Sequence, residues 1–172
     1  GLAPYGETKY KKLILDNLID IKEDGSFCLN QSFFNYTTGL SMTNQKFSTL
    51  FGKPIRKSAT DLLTQFHMDI ASSIQAVIEK VILKITKNLA SEHKLPNLCM
   101  AGGVALNCVA NAKIRQAGYF KNLWIQPASG DAGGALGAAL LVWHNKLKKS
   151  RNIYKPDSMK GALLGPQYIQ KE

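Results

Sequence analysis

The sequence has no apolar run long enough for a membrane-crossing helix. About 18 residues would be needed, and the best stretch, Ala132 to Trp143, is shorter and carries three glycines. Gly1 to Gly6 show no basic stretch leading into an apolar one, so no secretory signal is read there. Cysteine is sparse: Cys28, Cys99 and Cys108 are odd in number and sit in or beside apolar segments. That excludes a dense secreted disulfide scaffold and favours a reducing, cytoplasmic setting, with the three thiols expected as small buried hydrophobes. Histidine is scarce too. His67, His93 and His144 lack the spacing of metal ligands and are expected to be structural or exposed. There is no internal repeat and no low-complexity segment.

What is present describes a folded globular chain: 172 residues, 45% apolar and 20% charged, close to soluble averages and enough for one domain. The net charge of +10 raises a polyanion as partner, and basic residues thicken after Asn145 in Lys146, Lys148, Lys149, Arg151, Lys155 and Lys160. That stretch has no aromatic besides Tyr154 and matches no nucleic-acid module, so it reads as a solvated helix end running into a linker.

Apolar spacing gives the elements. Glu7 to Leu18 reads as a helix, Ile19 to Leu29 as a hairpin around Asp24-Gly25, and Gln45 to Phe51 as a short helix stopped by Gly52. From Thr60 to His93, apolar residues recur every three or four positions from Leu62 to Leu89, which predicts one long amphipathic helix capped by Ser58 or Thr60 and ended by Pro96. Then the rhythm changes. Asn97 to Ala101 predicts a buried strand, Val104 to Ala117 a helix closed by Gly118, Leu123 to Gln126 a strand, and Ala132 to Leu147 a helix. This alternation is that of an α/β sheet, where ligands collect beyond the carboxyl ends of strands.

Both strands end in glycine turns. Gly102-Gly103 would let backbone approach a ligand and aim amide N–H groups at a phosphate or ribose. Ser129-Gly130-Asp131-Ala132-Gly133-Gly134 repeats the device with a carboxylate that can cap the next helix or help hold a hard cation. Gly133, Gly134 and Gly137 each cost about 1 kcal/mol of helix propensity against alanine, so close contact with a ligand or a neighbouring element is expected there. The glycine spacing fits neither the dinucleotide fingerprint nor the lysine-containing phosphate loop.

Four strings now carry a resemblance: GLAPYG (Gly1 to Gly6), HMDIASSIQAVIEKVI (His67 to Ile82), AGGVALNCVANAKI (Ala101 to Ile114) and IQPASGDAGGALGAAL (Ile125 to Leu140). In order and spacing they resemble the NodU/CmcH O-carbamoyltransferase family. The resemblance implies an α/β actin-like ATPase (ribonuclease H-like) lobe, a mixed sheet flanked by helices, as a partial domain. Residues 1–150 would be the second lobe and 151–172 a linker toward a YrdC-like domain. It implies transfer of a carbamoyl group from carbamoyl-adenylate, made from carbamoyl phosphate and ATP, to a hydroxyl of a small-molecule acceptor. By the same resemblance Gly102, Gly103, Asn107, Gly130 and Gly133 border the nucleotide and Asp131 ligates a divalent metal, iron or magnesium. The family's histidine-rich metal motif and a YrdC-like segment are not found in these residues. The chain is therefore expected to work with a first lobe and a YrdC-like domain of the same polypeptide and to be inactive alone. A threonylcarbamoyl transferase acting on tRNA, and a non-catalytic nucleotide- or polyanion-binding module, are the competing readings.

Overall fold

The computed structural model describes residues 1–153 and 159–169. The chain divides into two compact units, Gly1–Lys94 and Leu95–Glu172. Among the described residues the strands form two separate two-stranded sheets, one in each unit, rather than one mixed sheet. Mixed α/β architecture is therefore present, with the sheet split.

In the first unit, Ala3–Tyr5 forms a 3-10 turn and α1 spans Lys11–Asn17. The helix starts later than its spacing suggests because the preceding amides are engaged elsewhere: Glu7 N donates to Asp69 Oδ1 at 2.9 Å and Tyr10 N to Ser73 Oγ at 3.0 Å. The hairpin follows as expected. β1 (Ile19–Ile21) and β2 (Phe27–Leu29) pair antiparallel, with Asp20 opposite Cys28. The turn between them uses Gly25 at φ +89° and Asp24, whose Oδ1 accepts from Ser26 N and Oγ. α2 occupies Gln45–Phe51, capped by Asn44 and closed by Gly52 in the left-handed region, a conformation that glycine adopts without steric cost.

The long helix, α3, spans Gln65–His93. Its start is corrected from Thr60 to Gln65: the cap is Thr64, whose backbone N donates to His67 Nδ1 at 3.0 Å, and Leu62 and Leu63 stand exposed outside the helix. The apolar stripe nonetheless forms the expected wall. Ile14, Leu18, Phe51 and Val77 are buried together, with Tyr10, Phe47, Phe66 and Ile70 packed around them. Tyr10 meets Phe51 and Phe66 edge-on, with centroids 5.7 and 5.5 Å away. Each fully buried side chain of this kind stabilises the fold by roughly 1.5–3 kcal/mol.

In the second unit, β3 (Asn97–Met100) and β4 (Asn122–Ile125) pair parallel in register from Asn97–Asn122 to Met100–Ile125. The helix expected over Val104 to Ala117 is broken at Asn107: Gly103–Leu106 is a 3-10 turn, and α4 spans Cys108–Ala117. The break has a local cause, since Asn107 Oδ1 accepts from Ala110 N and caps the new helix. α5 spans Asp131–Leu141 and continues as a π turn over Val142–Lys146. No described helix is long and apolar enough to cross a membrane. All three cysteines are exposed rather than buried, because Cys28 and Cys99 fall on the outer positions of short strands and Cys108 opens α4. Of the basic stretch, Lys146, Lys148, Lys149, Arg151 and Lys160 are exposed, while Tyr154 and Lys155 lie outside the described residues.

Candidate functional site: two glycine turns at the strand ends

Parallel pairing sends β3 and β4 the same way, so the segments following Met100 and Ile125 leave from one end of the sheet. Two backbone bonds carry the pairing past the strands. Gln126 N donates to Met100 O at 3.0 Å, and Gly102 N donates to Ser129 O at 2.8 Å. The second bond joins the two turns directly, placing Gly102 beside Ser129, with Gly103 and Gly130-Asp131 the next residues along each turn.

The glycines of these turns differ in what they face. Gly102 sits at φ +98°, a conformation that L side chains rarely adopt. A Cβ built on Gly102, Gly103, Gly130, Gly134 or Gly137 would meet nothing within 4 Å. Gly133 is another matter. A Cβ there would lie 2.0 Å from the carbonyl oxygen of Ala128, so the fold itself requires glycine where β4 turns into α5. Of the residues assigned to the nucleotide, Gly102, Gly103 and Gly130 border open space, Gly133 has a packing reason of its own, and Asn107 serves as a helix cap.

Asp131 is the first residue of α5 and is exposed; the cap position belongs to Gly130. The carboxylate therefore does not cap the helix as the sequence allowed, although it stands in the first turn, where the helix dipole favours negative charge. Just before it, Ser129 is only 5% exposed, and its Oγ has no hydrogen-bond partner among the described residues. Ser129 was not singled out by sequence reasoning. Serine in a turn is too common to mark a site, and only its burial without a partner distinguishes it.

The chemistry of this cluster has a tension. First-turn amides and open glycines suit a phosphate, yet Asp131 brings a negative charge to the same place. A phosphate and a carboxylate share a mouth comfortably when a cation lies between them. Asp131 offers hard oxygen donors of the kind such a cation takes. No group of three or more His, Cys, Asp or Glu side chains able to hold a metal occurs among the described residues, so Asp131 would be one ligand of a site completed by other groups.

Comparison with known proteins agrees with the four strings. The family model described as Carbamoyltransferase N-terminus matches residues 1–140, and the chain belongs to that family. It is 60% identical over its whole length to the uncharacterized protein sll1178 of Synechocystis sp., covering 28% of that protein. It is 29% identical over 96% of its length to nodulation protein NolO of Bradyrhizobium diazoefficiens, again covering 28%. With nodulation protein NolNO of Sinorhizobium fredii it shares 30% over 87% of its length and covers 20%. The chain thus spans under a third of the curated relatives it matches.

Proposed function

We propose that this chain supplies the nucleotide- and metal-facing turns of an O-carbamoyltransferase with an actin-like ATPase fold. In this reading the carbamoyl group passes from carbamoyl-adenylate, formed from carbamoyl phosphate and ATP, to a hydroxyl of a small-molecule acceptor. In the same reading a first lobe and a YrdC-like domain of the same polypeptide would complete the enzyme. The observation that carries the reading is the Gly102 N to Ser129 O bond of 2.8 Å, which brings two open glycine turns together at the carboxyl ends of parallel strands.

Each residue has a part that follows from its surroundings. Gly102 and Gly103 leave room for the nucleotide to lie against backbone, and the first-turn amides of α5 donate to its phosphate oxygens. Asp131 would be the residue of this chain that holds a divalent cation, iron or magnesium. Bound there, such an ion would offset phosphate charge and polarise the oxygen at the reacting centre.

The test is Asp131→Ala in the full-length protein. Transfer from carbamoyl phosphate and ATP should fall at least a hundredfold, and bound metal measured by elemental analysis should fall with it, while the circular dichroism spectrum is unchanged. Full transfer with normal metal content would overturn the assignment.

A further inference from the structure

The first unit contains a slot that the transfer reading does not use. It has a volume of about 200 Å³ and lies between α2, the loop that follows it and the start of α3. Phe47, Phe51, Phe66 and Ile70 form apolar walls, and Lys53, Arg56 and His67 stand among its lining residues. No carboxylate is among them. We infer that this slot binds a small organic anion, a carboxylate carried on an apolar body.

Two of the three basic side chains, His67 and Arg56, are held by backbone groups. His67 Nδ1 accepts from Thr64 N at 3.0 Å, so in the neutral ring the proton sits on Nε2 and that nitrogen is a donor. Arg56 Nη1 donates to Asp61 O at 2.7 Å, which fixes the guanidinium on its loop and leaves its other N–H groups to bind. Asp61, close enough for its charge to act on Arg56, is itself held in that loop: Oδ2 accepts from Lys57 N at 2.8 Å and Oδ1 from Thr60 Oγ1 at 2.9 Å. A carboxylate on the ligand would pair with Lys53 and Arg56 and accept from His67 Nε2, and no acid stands in the lining itself.

Size and walls limit the rest of the ligand. The slot is smaller than the roughly 300–1,000 Å³ of typical drug-sized sites, which selects a single ring or short alkyl body. Aromatic walls favour an aryl group packed edge-on or offset. All lining residues belong to Gly1–Lys94, whereas the glycine turns belong to Leu95–Glu172, so this inference stands apart from the proposed transfer and fails or survives separately.

Phenylacetate titrated into the 172-residue chain, followed by NMR, tests it. Saturable shifts are expected at Phe47, Phe66 and Ile70. Phenylacetamide, which keeps the ring without the charge, and acetate, which keeps the charge without the ring, should each bind at least tenfold more weakly. The double variant Lys53→Gln with Arg56→Gln should lose at least tenfold in phenylacetate affinity. Because Arg56 also holds its loop, Lys53→Gln alone is the second variant, with an expected loss of at least twofold and an unchanged spectrum without ligand. Equal binding of phenylacetamide, undiminished binding by both variants, or no saturable binding by the native chain would overturn the proposal.

Discussion

Gly6 and Gly103 both lie in strings that mark the family, and the two units use them in opposite ways. A Cβ on Gly6 would sit 2.0 Å from the carbonyl oxygen of Met68 and 2.6 Å from Asp69 N, in the backbone of α3. One on Gly103 would meet nothing within 4 Å. Around Gly6 everything is closed: Asp69, 3% exposed, accepts from Glu7 N, Gln65 Nε2 and Lys9 Nζ, and Ser73, fully buried, accepts from Tyr10 N and donates to Asp69 O. The first string is clamped on the second, and their residue types are explained within the chain. Around Gly102, Gly103 and Gly130 the space is open, and the described residues supply no packing reason for glycine at Gly103 or Gly130. Motifs closed on each other report on folding; motifs that face empty space point to a ligand.

The sharpest way to break this contrast is Gly6→Ala. Its methyl would collide with helix backbone rather than with a flexible side-chain end, and overpacking of this kind costs about 1–3 kcal/mol or more. Chemical denaturation should show the midpoint falling by that amount, and an unchanged midpoint would remove the clamp. Ser73→Ala should cost about 1–3 kcal/mol, since it leaves Tyr10 N–H buried without an acceptor.

A pH series sharpens the same point. The backbone N–H of Glu7, followed by Gln65 and Lys9, lowers the Asp69 carboxyl from its ordinary 3.8 to about 2. A group whose pKa is depressed on folding contributes stability that is full above its unfolded value and is lost as pH falls through its folded value. The gap in melting temperature between the native chain and Asp69→Asn should therefore be constant above about pH 5 and narrow between about pH 4 and 2. A gap independent of pH would show that the charge on Asp69 is not what holds the clamp.

The smallest expected change is the other half of the comparison. Gly103→Ala should shift stability by less than about 0.5 kcal/mol, as ordinary exposed positions do. In the full-length protein the same substitution should weaken ATP binding measured by calorimetry. A large loss of stability would mean that Gly103 is a packing glycine like Gly133.

Much of the fold was legible. The hairpin, α2, both parallel strands and the end of α3 lie close to where apolar period and glycine stops put them, because those signals are local. Errors arose where a distant partner decided. α1 starts late because Asp69 and Ser73 take amides near its start from some sixty residues away, and α3 starts at Gln65 because His67 turns back on Thr64. The glycine turns were visible as candidates, but Ser129 was not, and Gly133 could not be told from its neighbours until the Ala128 carbonyl was seen against it.

By itself the sequence determined the order of elements, the two glycine turns and the family, because periodicity, stop residues and string spacing need no knowledge of distant contacts. Only the tertiary structure decided that the two turns are hydrogen-bonded neighbours, which glycines are pressed against backbone, and that the first two family strings form a clamp. Those outcomes depend on which groups meet across long stretches of chain, and burial and hydrogen-bond satisfaction choose among the many meetings that one sequence allows.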